Sequence, residues 1–287
     1  MKFINRKKQT ILFALIVLLS FCQVQAQTFS ALSYNIRLDV ASDGDNRWDV
    51  RKDQVVGLLR YHGADFIGLQ EVLHNQLLYI ESKFSDYGRI GVARDDGKEK
   101  GEYSCIFYNK ANMKLLQEGT FWLAPTTDVP GKGWDAALPR VCTWGIFQLK
   151  KSGKRILVMN THFDHVGKQA RLESAKLILA KSQELMNNKK MELIIMGDFN
   201  STPEESPAQA MLEKMNHARS VSAFPPYGAA DTWNAFQFTK KPNRCIDYIF
   251  LPKSTNLQVE QYATLTDSYD LKYPSDHLPV IAKFRWK

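Results

Sequence analysis

The sequence predicts a layered α/β fold built around a mixed β-sheet. Apolar runs of strand length alternate with longer amphipathic stretches, which is the pattern of stacked sheet and helix layers. Four of these runs are followed by clusters of carboxylate, amide or imidazole groups, and two further clusters precede an apolar run. Strands of opposite direction bring both kinds of cluster to one edge, so a mixed sheet is expected rather than a purely parallel one.

The first 26 residues have the layout of a secretory signal peptide. Four basic residues lie within the first eight, the apolar run 11–21 is short for a membrane span, and small residues end at Ala26. We predict a leader of residues 1–26, an exported mature domain of residues 27–287, and no transmembrane segment in that domain. Lipid anchoring through Cys22 is the alternative, but the bulky Phe21 stands where a small residue is expected.

The predicted elements of the mature domain follow in chain order. Strands are indicated over residues 29–34, 65–69, 156–159, 193–196, 249–251 and 278–281. A helix over residues 49–61 ends at His62-Gly63. The longest predicted helix covers residues 168–187, where Leu172, Ala175 and Ile178 fall close to a 3.6-residue period. No repeat or low-complexity tract divides these elements, so we predict one domain.

Composition and charge limit the function classes. With 44% hydrophobic and 24% charged residues among its 287, the chain is not collagen-like or disordered. The leader holds four of the 38 basic residues and none of the 30 acidic ones, so the net charge of +8 falls to +4 in the mature domain. A charge of +4 does not require a nucleic-acid partner, although a local basic patch is compatible with one.

Three cysteines remain in the mature domain, and an odd number cannot all pair within one chain. Cys105, Cys142 and Cys245 each stand in an apolar, strand-like context. We expect buried free thiols, and a disulfide between two of them is the alternative.

The clusters at the strand ends contain the ligand types of a magnesium site. Glu71, Asp198, Asn200, Asp247 and Asp276 offer oxygen atoms, and no cysteine or close histidine pair stands among them. Hard oxygen ligands suit Mg²⁺ or Mn²⁺ better than Zn²⁺. Because Mg²⁺ usually binds one or two carboxylates together with substrate phosphate, the predicted substrate is a phosphate ester.

Two histidines add the groups that such a site needs. His162 and His277 can supply a donor to the phosphoryl oxygens and a base for water near neutral pH. Each cluster also has a structural interpretation: residues 197–200 as a turn, Gln70-Glu71 as a helix start, and His162 with His165 as a surface pair or a zinc half-site. The joint occurrence of the clusters favours a catalytic site.

Taken in order, the clusters resemble the motif series of the endonuclease/exonuclease/phosphatase superfamily. The series runs from Asn35 to His277, nearly the whole mature domain. Its members are Ser33-Tyr34-Asn35-Ile36-Arg37, Gln70-Glu71, Asn160-Thr161-His162, Gly197-Asp198-Phe199-Asn200, Ile246-Asp247-Tyr248-Ile249-Phe250 and Ser275-Asp276-His277-Leu278-Pro279.

The resemblance implies a DNase I-like fold, a four-layer α/β sandwich of two packed mixed sheets flanked by helices. By similarity, Glu71 is the principal Mg²⁺ ligand, with Asn35 beside it and Asp276 as a secondary metal ligand or a supporting carboxylate. Asp198 and Asn200 orient or activate the attacking water and bind phosphate. The remaining implied roles are a pairing of Asp247 with His277 and a phosphoryl contact from His162.

Other positions resemble the family less closely. Arg140 matches a position where an arginine reaches substrate phosphate, and a surface arginine before a strand is the alternative. The abasic-site repair branch has an acidic residue where this chain has Arg37, which disfavours that branch. Four aromatic residues in predicted loops either cover the site or pack in the core. These loop aromatics are Trp122, Trp134, Tyr227 and Trp233.

The predicted function is an exported, metal-dependent hydrolase of small phosphate mono- or diesters, acting by direct attack of water. A secreted nuclease is the first alternative, followed by a phospholipid or sphingomyelin phosphodiesterase. The modest charge weighs against a processive DNA binder, which would need many phosphate contacts. A non-catalytic binding module and a glycosidase are disfavoured, because the motif residues are all present and their amide and imidazole groups suit phosphorus.

Overall fold

The computed structural model describes residues 28–187 and 189–287 of the chain. The predicted leader of residues 1–26, including Cys22, therefore lies outside the described residues. The strands of the described part are β1 Thr28–Asn35, β2 Phe66–Gln70, β3 Tyr87–Ile90, β4 Ile106–Asn109, β5 Met113–Trp122, β6 Val141–Leu149, β7 Arg155–His162, β8 Glu192–Asp198, β9 Met215–His217, β10 Asp247–Pro252, β11 Leu257–Thr264 and β12 Val280–Trp286. Its α-helices are α1 Trp48–His62, α2 His74–Lys83, α3 Lys168–Met186 and α4 Ser206–Lys214.

The strands form two six-stranded sheets. Sheet I has the order β11-β12-β1-β2-β4-β3, and sheet II has the order β5-β6-β7-β8-β10-β9. In sheet I, β1 is parallel to β2 and antiparallel to β12. In sheet II, β8 is parallel to β7 and antiparallel to β10. Both sheets are mixed, as the two kinds of polar cluster predicted.

Three hydrophobic clusters hold the layers together. One lies between the sheets, where Phe66 of sheet I packs against Phe147 of sheet II with ring centroids 4.9 Å apart. A second packs α1 and α2 against the outer face of sheet I, and a third packs α3 and α4 against sheet II. The result is the predicted four-layer sandwich, in which burial of apolar surface on both faces of each sheet is the main stabilising term.

The ends of the elements follow the local sequence. Gly63 ends α1 in the left-handed region with φ 51°, and its N–H donates to the carbonyl of Leu59. The last strand was predicted to begin at Leu278, but β12 begins at Val280. The N–H of Leu278 donates instead to the carbonyl of Thr232 at 2.7 Å, and Pro279 has no N–H to offer a ladder.

All three cysteines of the described residues are free thiols. Cys105 and Cys142 are buried as expected, whereas Cys245 is only partly buried. Burial raises the pKa of each thiol to about 12 or above, which keeps all three protonated near neutral pH. Within residues 28–187 and 189–287, none of the helices is long and apolar enough to cross a membrane.

Candidate active site

The predicted site residues meet at one edge of the sandwich. The ends of β1, β2, β7 and β8 and the starts of β10 and β12 converge there. Register fixes the neighbours in sheet II: Asp198 pairs with His162 on one side and with Asp247 on the other. Residues far apart in sequence therefore become adjacent through the pairing of strands.

The side-chain amide of Asn35 joins the two sheets at this edge. The Nδ2 of Asn35 donates to Glu71 Oε1 and to Asp198 Oδ2, both at 3.0 Å. The second oxygen of Glu71 accepts from the N–H of Leu38 at 3.1 Å. The result is a compact, largely buried group of two carboxylates and one amide, from Glu71, Asp198 and Asn35.

Asp198, Asp247 and His277 form a second compact group. Their candidate ligand atoms lie within 4.8 Å of one another, and all three side chains are buried. His277 Nδ1 is 2.9 Å from Asp247 Oδ2, which also accepts from the hydroxyl of Thr232 at 2.5 Å. The predicted contact between Asp247 and His277 is therefore present, and Thr232 is a supporting residue that no motif pointed to.

Burial and these contacts raise the pKa values of both Asp198 and His277. Burial, with the nearby Asp247 carboxylate, raises the pKa of Asp198 to about 7. Burial disfavours the charged ring of His277, but Asp247 and Asp198 outweigh it and raise the pKa of His277 well above its usual value. A carboxyl group that titrates near neutrality next to an imidazolium is suited to moving a proton.

His162 has a different environment. Its Nε2 is 3.4 Å from Asp198 Oδ2 and 3.0 Å from the amide nitrogen of Asn200, and its Nδ1 is 3.0 Å from a guanidinium nitrogen of Arg140. Burial, together with Arg140 and Arg94, lowers the pKa of His162 well below its usual value. Because Arg140 can only donate, Nδ1 accepts, and the neutral ring carries its proton on Nε2.

Arg140 is a buried residue, so the surface-arginine alternative is wrong. Its guanidinium contacts Asp164 at 3.4 Å and the Nδ1 atoms of His162 and His165 at 3.0 and 2.9 Å. His162 and His165 are therefore separated by Arg140 and do not form the surface pair considered from the sequence. His165 is 53% exposed, whereas His162 is buried.

Asp276 stands at the margin of the two ligand groups. Its Oδ2 is 4.0 Å from an Arg37 nitrogen, and its Oδ1 is 3.4 Å from the Ser275 hydroxyl. Burial raises the pKa of Asp276, with Glu71 adding to the effect and His277 opposing it. It is outside the compact group of Asp198, Asp247 and His277.

Three non-glycine residues of the site have left-handed backbone. Arg37, Glu71 and Asn200 have φ values of 59°, 60° and 45°. Such residues are uncommon and cluster at functional sites, where the surrounding contacts hold them. The position before Asp198 requires a glycine for a related reason. Gly197 has φ at 150°, and a Cβ there would lie 2.1 Å from the carbonyl oxygen of Thr161.

The sequence did not reveal two residues that support the site. Asn160 of sheet II donates to the carbonyls of Leu69 and Cys105 in sheet I and accepts from Gln70. Arg51 of α1 donates to the carbonyls of Ile36, Arg37, Asn46 and Pro274. Asn160 lies inside a motif, which was a signal; Arg51 lies in a helix with no local pattern to mark it.

The four loop aromatics have different positions. Trp122 is buried and its indole N–H donates to the carbonyl of Arg94 at 2.7 Å, so it serves the core. Trp233 is half-buried, and its backbone bridges to His277. Trp134 is half-buried, and Tyr227 is 70% exposed beside β11.

Comparison with known proteins agrees with this geometry. The model of the Endonuclease/Exonuclease/phosphatase family matches residues 32–277, which is most of the chain. The chain belongs to this family. Members are hydrolases of phosphate esters that depend on a divalent metal, and this chain is an enzyme of that class.

Solved structures show the same fold over nearly their whole length. A family protein from Bacteroides thetaiotaomicron is 35% identical with a TM-score of 0.87, and the match covers 92% of this chain and 99% of that one. A mannosyl-6-phosphatase from the same organism is 36% identical with a TM-score of 0.87, covering 90% and 100%. The catalytic domain of human Nocturnin, at 21% identity and TM-score 0.70, shares the fold.

Curated relatives are more distant. A probable RNA exonuclease from Saccharomyces cerevisiae is 27% identical over 181 residues, covering 58% of this chain and 35% of the relative. Human Nocturnin is 23% identical over 267 residues, covering 83% and 58%. The chain spans about half the length of the first curated relatives it matches.

The donor set fits the divalent metal of the endonuclease/exonuclease/phosphatase family. Glu71 and Asp198 supply carboxylate oxygens on either side of the Asn35 amide, and the buried Asp247 Oδ1 lacks a hydrogen-bond partner among the described residues. Carboxylate and amide oxygens are hard ligands, and a buried unpaired carboxylate oxygen is costly without a cation or a donor. Glu71 would hold such an ion, with Asn35 beside it and with Asp198, Asp247 and His277 close by.

Proposed function

We propose that this chain is an exported phosphatase that uses Mg²⁺ or Mn²⁺ to hydrolyse phosphate monoesters of small molecules such as sugar phosphates. The observation that carries the substrate class is the full-length match, at 36% identity, to a mannosyl-6-phosphatase. The signal-like layout of residues 1–26 and the modest charge of the mature domain support export and a small substrate.

The site's own residues account for the proton transfers. Asp198, with a pKa of about 7, accepts a proton from the attacking water. His277, kept charged by Asp247, offsets negative charge that develops on the phosphoryl oxygens. When bound, the metal withdraws charge from the phosphoryl group and stabilises the departing oxygen.

Two neutral donors face the same place on the other side of Asp198. His162 carries its proton on Nε2, and the Asn200 amide nitrogen lies 3.0 Å from that atom. The proton of His162 faces Asp198 Oδ2 at 3.4 Å, and the hydrogen of Asn200 that is not bonded to Phe163 can donate to a phosphoryl oxygen. The Asn200 amide is held in place by donating its other hydrogen to the carbonyl of Phe163 at 3.1 Å.

The test compares p-nitrophenyl phosphate with bis-p-nitrophenyl phosphate, using residues 27–287 with Mg²⁺ and then with EDTA. We expect an EDTA-sensitive preference for the monoester and turnover of mannose 6-phosphate in a panel of sugar and nucleotide phosphates. The Glu71→Gln variant controls for contaminating phosphatase. A preference for the diester would overturn the proposal.

A nuclease is the second candidate, because curated relatives carry the names RNA exonuclease and exoribonuclease. A 5′-labelled single-stranded RNA oligonucleotide, incubated with the same preparation, separates the two. Progressive shortening of the RNA at a rate above that of sugar-phosphate hydrolysis would favour the nuclease.

Export is tested separately. The full chain is expressed in a bacterium and the periplasmic and medium fractions are analysed by mass spectrometry. We expect a species beginning at Gln27. Retention of residues 1–26 in the cytoplasm would contradict export, and a lipid-modified Cys22 would favour the anchored form.

A further inference from the structure

Hydrogen bonds hold every polar group of Arg37 except one guanidinium nitrogen. Its Nε and one terminal nitrogen, Nη2, donate to the two oxygens of Asp43 at 2.9 Å each, a bidentate pair. Its backbone N–H donates to the Asn35 side chain at 3.0 Å, and its carbonyl accepts from Arg51 and Gln76 at 2.7 and 2.9 Å. The residue is therefore positioned before any substrate arrives, so little side-chain entropy is lost on binding.

The remaining nitrogen, Nη1, faces the site. It lies 4.0 Å from Glu71 Oε2 and 4.0 Å from Asp276 Oδ2, which is too long for a hydrogen bond to either carboxylate. Both of its hydrogens are thus uncommitted, and the side chain is 29% exposed. Arg37 Nη1 is therefore free to donate to a phosphoryl group that binds beside Glu71.

The charge of the site makes this nitrogen important. Four carboxylates meet there, and their negative charge must be offset before the site can attract an anion. These carboxylates belong to Glu71, Asp198, Asp247 and Asp276. A phosphate monoester is close to a dianion above pH 7, whereas a diester is a monoanion with one anionic oxygen fewer. An additional fixed cation therefore favours the monoester more than the diester.

We propose that Arg37 Nη1 donates to the additional anionic oxygen of a phosphate monoester and so selects monoesters over diesters. This inference rests on the proposed function and names the residue that determines its substrate class. Asp43 is the positioning residue that aims the guanidinium. A purely structural ion pair would need only Nε and Nη2, and it would not change the preference between the two substrates.

The experiment measures kcat/KM of the wild type, Arg37→Met and Arg37→Lys on the p-nitrophenyl monoester and diester at pH 8. For Arg37→Met we expect a loss of about 30-fold or more on the monoester and about threefold or less on the diester. Arg37→Lys keeps the charge and should recover part of the preference. Arg47→Gln is the matched control, an arginine of the same loop that faces Asp39 at 3.8 Å, and it should retain both activities.

Calorimetric binding supplies a readout that does not depend on turnover. With Mg²⁺ present, Arg37→Met should weaken the binding of inorganic phosphate about tenfold or more and leave the binding of dimethyl phosphate nearly unchanged. Equal losses on both substrates, or unchanged phosphate binding in a folded variant, would overturn the inference. A wild type that prefers diesters contradicts the proposed function instead, and phosphate binding then still decides the role of Arg37.

Discussion

The amide of Asn35 lies 3.0 Å from Asp198, a residue 163 positions later in the chain and in the opposite sheet. The same amide nitrogen contacts Glu71 in its own sheet. The candidate active site is thus held together by the packing of two sheets rather than by one loop. Changes that loosen the interface between the sheets should therefore disturb the site as well as the core.

Glu71→Gln should remove most of the activity. The substitution keeps the shape and the contact with Asn35 but removes a negative charge that a divalent ion needs. We expect kcat/KM at millimolar Mg²⁺ to fall at least about 100-fold. Steady-state assays on p-nitrophenyl phosphate check this, and near wild-type turnover would contradict the assignment of Glu71 as a ligand.

Binding of the divalent ion should stabilise the fold. Glu71 and Asp198 place two carboxylates on either side of the Asn35 amide in a largely buried site, and a bound cation would offset their charge. Free Mn²⁺ or Mg²⁺ at 100 times its Kd would add about 2.7 kcal/mol to the free energy of unfolding. Differential scanning calorimetry with metal and with EDTA measures the difference, and Glu71→Gln should show a smaller one.

Asp247→Asn should impair the site through His277. Loss of the Asp247 charge lowers the pKa of His277, because that carboxylate is the main group holding it up against burial. We expect kcat to fall about 100-fold or more and the NMR-titrated pKa of His277 to drop. Asp267→Asn, which alters another histidine–carboxylate pair at His62, is the matched control and should leave kcat unchanged. Loss of activity without any fall in the pKa of His277 would argue against this role.

Asn160→Ala should destabilise the junction of the sheets. It removes two donated bonds, to Leu69 and Cys105 at 2.9 and 2.8 Å, and one accepted from Gln70 at 2.7 Å. The Cys105 carbonyl keeps the N–H of Leu69, and the Gln70 amide keeps Ser33 and the carbonyl of Gly68, so we expect a loss of about 1–3 kcal/mol in the free energy of unfolding. Urea denaturation measures it, with the partly exposed Asn216→Ala as control at about 0.5 kcal/mol or less. Equal effects at the two positions would contradict the prediction.

His217 should make the fold sensitive to acid. Burial, with Arg219 adding to it, lowers the pKa of His217 from 6.5 to about 3. The unfolded chain then binds the proton more tightly than the folded protein does. The contribution of the neutral His217 to stability is therefore fully present above pH 6.5 and is lost as the pH drops from 6.5 towards 3. At pH 5 the loss is about 2 kcal/mol, and His217→Gln should remove that part of the slope. Urea midpoints at pH 7.5, 6 and 5 test this; parallel slopes in both proteins would refute it.

The alternation of apolar runs and polar clusters was enough to predict the layered fold and the mixed sheets. The His62-Gly63 stop placed α1, and the 3.6-residue periodicity placed α3, to within one or two residues. These features are local, because each run must bury one face whatever its neighbours are. The predicted start of β12 was wrong, because the N–H of Leu278 donates to the carbonyl of Thr232. This contact spans 46 residues, and no local pattern specifies it.

The chemistry of the candidate site was determined by residue type, and its arrangement by tertiary structure. Glu71, Asp198, Asp247 and His277 could be named from the sequence because oxygen and imidazole groups at strand ends limit what can bind there. Strand register decided that Asp198 stands between His162 and Asp247, and packing buried Arg140 and aimed one nitrogen of Arg37 at Glu71. These relationships depend on contacts between distant segments, whose geometry exists only after both sheets have paired and packed together.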